Sequence, residues 1–568
     1  MSSLRLEYPI LDRNAVLARV RRNPRFDALV VGAGSSGAGT FRDLALNGIR
    51  TLLIDRADIC SGASAASSRR LEGGLRTLEN GELRTANEAL HERDILLRNA
   101  PHYARPLPTA IPAFSWLSGW RNAPLGMFSR AEVAAERGAL ILKLGLMVHD
   151  SAIGRDSPLR GHSFRMRARS LARFPGLNPA IIGTASYRDG ELIPLERLCA
   201  ELVLDGEAEG SWARALTYVS LVGAKGDAVI LRDELTGQTF RVRPRVVVNA
   251  AGPWIDLTNQ TLGQATRLAG RTKSVQLVVD HPALRQAIGE HGFLFEVADG
   301  GTVEINPLGE RLLIGWTDMP GDGPDQDLCS QDEQAALLTM VGKVFPGAAL
   351  TAEQVVYRHA GVRPLPAEHH IDVIEPGKAL SFPILSLVGG TWTTYRAAAE
   401  QAADLVMARL GAPRHYDTVD LGIGGGADYP AGPAERARWM AAVERRTGIG
   451  RERLEALYAR YGTRAHDFAQ DICASTIRDK PLRHAHDYTQ GEIAYLVRAE
   501  HVVHLEDLAL RRTSLALMGR MTRPLLRELA GIAGRTLGWT PAQVRAEVKA
   551  TGERLAEVHG VRLDGSEG

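Results

Sequence analysis

Three glycines at fixed spacing follow the first strongly apolar segment of the chain. Gly32, Gly34 and Gly37 form the pattern Gly-x-Gly-x-x-Gly, and Asp55 ends the next apolar run 18 positions after Gly37. The first two glycines permit a tight turn and the close approach of a pyrophosphate, and the third lets a helix pack on the sheet. An acidic residue at the position of Asp55 accepts ribose hydroxyl groups. The spacing therefore predicts a dinucleotide-binding site.

Two further segments favour FAD over a nicotinamide cofactor. Residues 62–76 are small and rich in hydroxyl groups, as an extended flavin requires beyond its adenosine half. Later, the apolar run 384–388 is followed by Gly389–Gly390 and a helical pattern to Leu410. The N-terminus of that helix can stabilise negative charge on a reduced flavin ring. The alternative is that 384–410 is only the last strand and helix of the core.

The elements that position these residues are predicted from the spacing of apolar side chains. Strands over 28–31 and 51–54 flank a helix over 40–47, which is the strand–turn–helix–strand unit that nucleotide binding requires. A β-hairpin is predicted within 228–242, and a buried strand over 246–248.

The chain is predicted to have an α/β plus α fold in three parts. Residues 1–25 form an N-terminal helical extension, and residues 26–420 form a Rossmann-type FAD-binding domain. A discontinuous mixed-β substrate-binding domain is inserted into it, over roughly 100–245 and 270–370 in part. Residues 421–568 form a C-terminal helical domain that begins with a glycine- and proline-rich linker.

Composition excludes several classes of protein. The 568 residues carry 68 Lys and Arg and 66 Asp and Glu, and a net charge of +2 gives no field that would attract nucleic acid. The 4 cysteines have no metal-type spacing, which indicates free thiols in a reducing compartment. No run reaches the ~18 apolar residues that cross a bilayer, and no signal-peptide pattern opens the sequence. A cytoplasmic protein is expected, and peripheral attachment to the inner face of the cell membrane stays open.

Several blocks of the sequence resemble FAD-dependent glycerol-3-phosphate dehydrogenases, members of the wider D-amino-acid-oxidase-like flavoproteins. The resemblance runs from about Asp27 to Arg396 and continues more weakly into the C-terminal helices. Each block is modest alone, and their joint order is specific for the family. The blocks are Val30–Gly39, Ser67–Arg76, Asn87–Arg93, Asn249–Trp254, Gly315–Asp318, Gly361–Leu365 and Gly389–Arg396.

The resemblance implies oxidation of a secondary alcohol on sn-glycerol 3-phosphate or a related polyol phosphate. Hydride would pass to N5 of FAD, and electrons would then pass to membrane quinone or another acceptor. Arg76 and Arg363 match the substrate-facing arginines of the family, and their planar forks suit phosphate or carboxylate. The matched motifs assign further cofactor contacts to Ser67, Ser68, Gly252, Asp318, Gly390, Thr391 and Thr394.

Five positions depart from the motifs of the family. The motif Ser-Ser-Lys-x-x-His-Gly-Gly-x-Arg-Tyr has Arg69 for lysine, Glu72 for histidine and Thr77 for tyrosine. A Lys-Gly-Ser-His block ends here in Gln276, and a Gly-Gly-Lys block ends in Thr391. Thr391 removes a cation and Glu72 adds an anion, and the loss of one partner of a buried charge pair costs about 2–5 kcal/mol. Both changes disfavour a phosphate dianion.

Two residues are candidates for the base that takes the proton of the substrate hydroxyl. His359 lies just before Arg363, and Glu72 qualifies if burial raises its pKa. The alternative for His359 is a purely structural role, which is commoner for a lone histidine.

Two further partners are considered besides the substrate. Aromatic and basic residues in 116–130 and arginines in 165–173 fit contact with a membrane surface, and fit an ordinary packed subdomain equally well. A homodimer is the other partner considered.

Three functions are open at this point. The first is a dehydrogenase of glycerol 3-phosphate or a related polyol phosphate. The second is a flavin-dependent dehydrogenase or oxidase of a carboxylate-bearing hydroxy or amino compound, which Arg76 and Arg363 would bind without the missing lysine. The third is a catalytically weak flavin-binding paralogue that acts as a regulator or assembly partner.

Overall fold

The fold consists of two β-sheets and a set of C-terminal helices. The computed structural model describes residues 8–74, 83–116, 139–152, 159, 161–296, 301–321, 323, 328–365, 368–475 and 479–563. Its strands are β1 Arg25–Val31, β2 Thr51–Ile54, β3 Arg70–Leu71, β4 Ala104–Ala113, β5 Ser163–Met166, β6 Gly183–Leu192, β7 Ala213–Leu216, β8 Val219–Lys225, β9 Ala228–Asp233, β10 Thr239–Asn249, β11 Gly270–Val279, β12 Gly292–Glu296, β13 Thr302–Leu308, β14 Arg311–Pro320, β15 Val355–Leu365, β16 His370–Ile374 and β17 Ile384–Val388.

The helices divide into those around the sheets and those after them. The first group is α1 Arg13–Arg22, α2 Ser35–Leu46, α3 Leu83–Asn99, α4 Ala139–Ala152, α5 Arg167–Arg173, α6 Leu195–Ala208, α7 Ile255–Thr261, α8 Pro282–Ile288, α9 Gln331–Val344 and α10 Tyr395–Leu410. The second group is α11 Pro433–Thr447, α12 Arg451–Tyr461, α13 Ala465–Ala474, α14 Gln490–Ala499, α15 Leu505–Asp507, α16 Arg523–Leu537 and α17 Pro541–Glu557.

The first sheet has a parallel centre. Within the described residues its main path is β16-β17-β10-β1-β2-β7, and β9 and β8 extend it from β10. Strands β17, β10, β1, β2 and β7 pair in parallel. Helices cover such a sheet on both faces, so its strands are apolar at successive positions. Accordingly, every residue of β2 and β17 is buried.

The predicted nucleotide-binding unit is present in this sheet. The strands predicted over 28–31 and 51–54 lie in β1 and β2, which pair directly. Helix α2 begins at Ser35, five residues before the predicted start at Thr40, because its first turn contains the small residues that follow Gly34. The predicted hairpin is also correct, since β9 pairs antiparallel with β10 from Val229↔Val242 to Arg232↔Thr239.

The second sheet is mostly antiparallel. Among the described residues its main path is β15-β11-β14-β13-β12-β4-β6-β3, with β5 paired to β6. Only the pair β12–β4 in this path is parallel. Strands β4–β6 and β11–β15 lie in the two ranges predicted for the substrate-binding domain. Residues 213–245 of the first range instead form β7–β10 in the first sheet, and the domain boundaries stay predictions.

The C-terminal helices have a core of their own. Leu454, Leu496 and Leu529 are fully buried in one apolar cluster that also includes Tyr357 from β15. Two sheets followed by a helical region confirm the predicted α/β plus α class. No helix in the described part of the chain is long and apolar enough to span a membrane.

Candidate active site

The turn between β1 and α2 requires its glycines for steric reasons. Gly32 has φ +106°, in the region that favours glycine. A Cβ on Gly37 would overlap with the carbonyl oxygen of Gly32, and one on Gly34 would lie 2.9 Å from Oγ of Ser64. The turn is therefore as tight as the sequence pattern predicts. Because its glycines have no side chains, only their backbone lies at the start of α2.

Asp55 closes this turn from the end of β2. One oxygen of its carboxylate accepts a hydrogen bond from the amide of Ala33 at 2.7 Å, and the other accepts one from the amide of Ala57 at 2.9 Å. Burial raises the pKa of Asp55 to about 6, although these two amides favour the charged form. Each oxygen keeps a further lone pair that a ribose hydroxyl can use.

Ser64 joins three segments that are distant in the sequence. Its hydroxyl accepts a hydrogen bond from the amide of Ser35 at 3.1 Å, at the N-terminus of α2. Its carbonyl accepts the indole N–H of Trp392 at 2.8 Å, from the turn after β17. The hydroxyl-rich segment 62–68 therefore lies between the glycine turn and the late Gly–Gly turn. Within it, Ser67 accepts the amide of Arg69 at 3.3 Å, and Ser68 is half-buried.

The late turn leads into helix α10. Gly389 and Gly390 have φ of +75° and +93°, which favour glycine. The hydroxyl groups of Thr391 and Thr394 are 3.3 Å apart, just before α10 begins at Tyr395. The N-termini of helices attract anionic groups through their free amides and dipole.

The same region contains the turn after β10. Gly252 has φ +56° there, and a Cβ on Gly32 would lie 2.6 Å from the carbonyl oxygen of Ala250. Taken together, two helix N-termini, three glycine turns and an acidic strand end surround one junction of the first sheet. This arrangement fits an extended dinucleotide with a pyrophosphate at α2.

One face of the second sheet lies against this junction. The hydroxyl of Ser274 in β11 donates to the carbonyl oxygen of Ala66 at 3.3 Å. A Cβ on Gly361 in β15 would overlap with the side chain of Ala66. Residues that alternate with Ser274 and Gly361 share this face, so Gln276 and His359 belong to it.

A row of cross-strand partners crosses this face. Glu304 in β13 is paired with Gly315 in β14, Gly315 with Gln276 in β11, and Gln276 with His359 in β15. Gln276 is 1% exposed and His359 is 7% exposed. Neither amide atom of Gln276, nor Nε2 of His359, has a hydrogen-bond partner within the part of the chain that the structure describes. Buried polar groups normally have partners, so these atoms indicate a ligand site.

The environment of His359 favours the neutral form of its imidazole. Burial lowers the pKa of its imidazole well below the usual value, and the charges of Arg69 and His559 lower it further. The other predicted base differs, because Glu72 is exposed. The prediction for Glu72 depended on burial, and this condition is not met.

The cations near the family motifs are already paired. Arg69 forms a salt bridge to Glu196 at 2.5 Å and also donates to the carbonyl oxygen of Ile193. Lys273 forms a salt bridge to Glu333 at 2.8 Å. These two side chains thus hold the second sheet and its surroundings in place.

A buried ion cluster fixes the backbone that precedes Arg76. Asp189 in β6 accepts the amide of Gly73 at 2.8 Å and pairs with Arg93 at 3.1 Å and Arg70 at 3.4 Å. Arg70 also lies 3.8 Å from Glu304. No motif in the sequence indicates Asp189, and Ser64 is indicated only as one member of the hydroxyl-rich segment 62–76.

Two further predicted site residues, Arg363 and Asp318, lie on strands of the second sheet. Arg76 lies outside the described residues. Arg363 is in β15, opposite Thr272, and Asp318 is in β14, and only their backbone positions are described.

The fold and the site together define a class of protein, the dinucleotide-dependent enzymes built from two sheets. The first sheet carries the glycine turn, and the second lies against it with a polar face. The sequence family described as FAD dependent oxidoreductase matches residues 27–405, and the family described as the C-terminal domain of alpha-glycerophosphate oxidase matches residues 416–544. Glycerol-3-phosphate dehydrogenase from Synechocystis is 30% identical over 574 aligned positions, which cover 94% of this chain and 97% of that protein. The chain belongs to the FAD-dependent oxidoreductases, in the family of the glycerol-3-phosphate dehydrogenases.

Other relatives agree with this placement. Glycerol-3-phosphate dehydrogenase 2 of Mycobacterium tuberculosis is 30% identical, over 92% of this chain and 87% of that protein. The human mitochondrial glycerol-3-phosphate dehydrogenase is 26% identical, over 93% and 72%. The structure of the FAD-complexed Bacillus halodurans glycerol-3-phosphate dehydrogenase has the same fold, with a TM-score of 0.74, 22% identity and coverage of 99% of this chain and 100% of that one. The predicted family, FAD cofactor and oxidoreductase activity are confirmed.

Proposed function

We propose that this enzyme oxidises the secondary alcohol of a small polyol phosphate, with sn-glycerol 3-phosphate as the first candidate. The observation that carries the proposal is the polar face of the second sheet, where His359 and Gln276 are buried without partners among the described residues. The names of the relatives support the same substrate class.

The proposed reaction divides between cofactor and protein. The glycine turn after β1 and Asp55 would hold FAD, which would supply a hydride acceptor for the carbinol carbon. Nε2 of His359 takes the hydroxyl proton, so the alcohol becomes a ketone. The guanidinium groups of Arg363 and Arg76 hold the phosphate, because two planar forks can each contact two of its oxygens.

The base is assigned to His359 because of its burial and charge. A neutral imidazole with a free nitrogen can accept a proton at once. Its low pKa makes it a weak base in the free enzyme, but a phosphate dianion bound nearby favours the protonated ring. Substrate binding therefore raises the pKa toward the working pH, where general-base catalysis is most effective.

A second substrate class is favoured by one specific observation. Thr391 brings no cation to the turn before α10, and the motif cations Arg69 and Lys273 are paired with Glu196 and Glu333. A carboxylate carries one charge rather than two and needs fewer cations. The second candidate is accordingly a carboxylate-bearing hydroxy or amino compound.

Anaerobic reduction of the bound flavin distinguishes these candidates. Purified holoenzyme is mixed with glycerol 3-phosphate, glycerate, lactate or amino acids, and the loss of oxidised-flavin absorbance is followed. Rapid bleaching by glycerol 3-phosphate supports the first candidate, and bleaching only by carboxylates replaces it with the second. Bleaching by dithionite alone would contradict both and favour a catalytically weak flavoprotein.

The location and the partners are further proposals. We infer a reducing, cytoplasmic environment, which the four free cysteines support, three of them buried. Membrane quinone is the proposed electron acceptor, and the exposed arginines Arg167, Arg169 and Arg173 of α5 support contact with an anionic membrane surface. Much of the aromatic part of the predicted surface, residues 117–130, lies outside the described residues. A homodimer stays a prediction.

A further inference from the structure

We infer that Gln276 binds the hydroxyl group next to the reacting carbon, which makes the enzyme selective for substrates with two adjacent hydroxyls. This inference rests on the proposed function and specifies its substrate class. It begins from the amide of Gln276, which is 1% exposed and has neither its donor nor its acceptor satisfied by any described residue. A buried group in that state costs free energy unless a ligand completes it.

The amide of Gln276 occupies space that the neighbouring strand β14 leaves open. Gly315 is its direct partner on β14. A Cβ on Gly315 would overlap with Oε1 of Gln276 and lie 2.8 Å from its Nε2. The amide therefore extends over β14 in space that a glycine leaves, which fixes its position on the polar face.

His359 lies on β15, the strand on the other side of β11, and on the same polar face. Gln276 and His359 are partners in neighbouring antiparallel strands, and such pairs have Cα atoms about 4.5–5.5 Å apart. A substrate that lies along this row, with its reacting hydroxyl at Nε2 of His359, has its next hydroxyl on the side of β11 and β14, where the amide of Gln276 lies. The hydroxyl of Thr302, on the strand that carries Glu304, is likewise buried and unpartnered in the described chain.

The chemistry of a primary amide selects a hydroxyl. Its NH2 group donates and its oxygen accepts, and a hydroxyl can satisfy both. A carboxylate only accepts, and a methyl group does neither. Gln276 is also uncharged, so it leaves recognition of the phosphate to other residues.

The test compares two substrates that differ in one oxygen atom. Glycerol 3-phosphate and 2-hydroxypropyl phosphate share the phosphate and the secondary alcohol, and only the first has the adjacent hydroxyl. Sites that hydrogen-bond a substrate hydroxyl reject the analogue without it by about 10⁴ or more, so wild-type kcat/KM should favour glycerol 3-phosphate strongly. Gln276→Leu should reduce this preference at least a hundredfold, and Gln276→Asn should restore part of it.

A binding measurement and a control complete the design. The two ketone products are dihydroxyacetone phosphate and hydroxyacetone phosphate. Their dissociation constants, measured from changes in the flavin spectrum, should converge in Gln276→Leu. Gln286→Leu makes the same substitution at an exposed site on α8. It should leave unchanged both the substrate preference in kcat/KM and the ratio of the two dissociation constants.

Two outcomes separate this inference from the proposed function. An unchanged substrate preference in Gln276→Leu, with normal flavin content, overturns the inference while the proposed function stands. If neither phosphate ester reduces the wild-type flavin, the proposed function fails, and glycerate against lactate becomes the test pair. If the preference for glycerate over lactate is the same in the wild type and in Gln276→Leu, the inference is also overturned.

Discussion

At the scale of single residues, Asp55 links cofactor binding to pH. Its pKa is raised to about 6 by burial, whereas ribose hydroxyls donate best to the ionised carboxylate. FAD binding and deprotonation are therefore coupled. We expect the affinity of the apoenzyme for FAD to increase about tenfold between pH 5 and pH 7.5 and then to level off, as measured by fluorescence titration.

The variant Asp55→Asn supplies the control for this coupling. It keeps the shape of the side chain and removes the titration, so FAD should bind more weakly and with little dependence on pH over this range. A pH dependence that persists in Asp55→Asn would assign the coupling to another group.

His359 is expected to control the chemical step. His359→Gln should lower kcat about 10²–10⁴-fold with unchanged flavin content, because it removes the proton acceptor. The free-enzyme pKa is lowered well below that of an ordinary imidazole by burial, and a bound dianion opposes this shift. The acid limb of kcat should therefore lie at higher pH than the acid limb of kcat/KM.

A second histidine near the same sheet provides the comparison. His291 precedes β12 and packs against the ring of Phe174 with centroids 5.1 Å apart, away from the row of Gln276. His291→Gln should change kcat less than about twofold, in the manner of a substitution that removes no reacting group. An equal loss in both variants would indicate a structural role for His359.

At the scale of elements, the strand–turn–helix unit of β1 and α2 depends on Gly37. A methyl group there would overlap with the carbonyl oxygen of Gly32, so Gly37→Ala must displace α2 from the turn. Overpacking of this kind costs about 1–3 kcal/mol, which corresponds to FAD binding weakened about 5–150-fold. The flavin content of the purified protein and its FAD dissociation constant test this.

A second glycine-to-alanine substitution in a helix serves as the control for Gly37→Ala. Gly342 in α9 has no atom within 4 Å of an added Cβ. Gly342→Ala should leave FAD affinity unchanged and stabilise the protein by about 0.5–1 kcal/mol, because alanine favours helices. A similar loss of FAD in both variants would contradict the steric explanation.

At the scale of the whole molecule, Asp58 connects the flavin-binding sheet with the C-terminal helices. Its carboxylate binds the guanidinium of Arg512 at 2.7 and 3.0 Å and also that of Arg511, and all three side chains are buried. Asp507, which accepts from Tyr218 at 2.6 Å, completes this cluster. Because Asp58 is three residues from Asp55, the cluster couples helix packing to the cofactor turn.

Removing this charge should destabilise both regions together. Asp58→Asn leaves the buried arginines undercompensated, at a cost of about 3–5 kcal/mol. We expect a single unfolding transition, followed by circular dichroism and by flavin release, to shift to lower temperature. Glu368→Gln, in the exposed pair with Arg84, should change stability by less than about 1 kcal/mol. Flavin release without loss of helix would contradict the coupling.

The same cluster predicts how the free energy of unfolding changes at acid pH. Burial alone would raise the pKa of Asp58, but Arg512 and Arg511 outweigh burial and hold the pKa below its usual value. The stabilisation is therefore present above the normal range of a carboxyl group and is lost as the pH falls through the lowered pKa. Asp58→Asn should show a smaller decrease of stability at acid pH than the wild type.

Much of the first sheet could be predicted from the sequence because its signals are local. The glycine turn, β1, β2 and the β9–β10 hairpin each depend on residues within a few positions of one another, and steric limits on glycine and on apolar alternation act at that range. The role of Asp55 at the end of β2 was predicted from the same strand–turn–helix–strand unit. The family motifs also gave FAD and the class of reaction.

The site on the second sheet depended on tertiary structure. Gln276 and His359 are 83 positions apart in the sequence, and only the register of β11 with β15 makes them neighbours. Register between distant strands follows from packing of the whole sheet rather than from local patterns. For the same reason the sequence could not show that Arg69 pairs with Glu196, or that Glu72 is exposed.

The sequence alone thus determined the cofactor and its turn, because a dinucleotide is bound mainly by backbone whose shape the nearby glycines dictate. Only the tertiary structure decided which polar side chains are buried together without partners. Burial, and the pKa shifts that follow from it, depend on every segment packed around a group. The residues proposed to act on the substrate are therefore a property of the folded molecule.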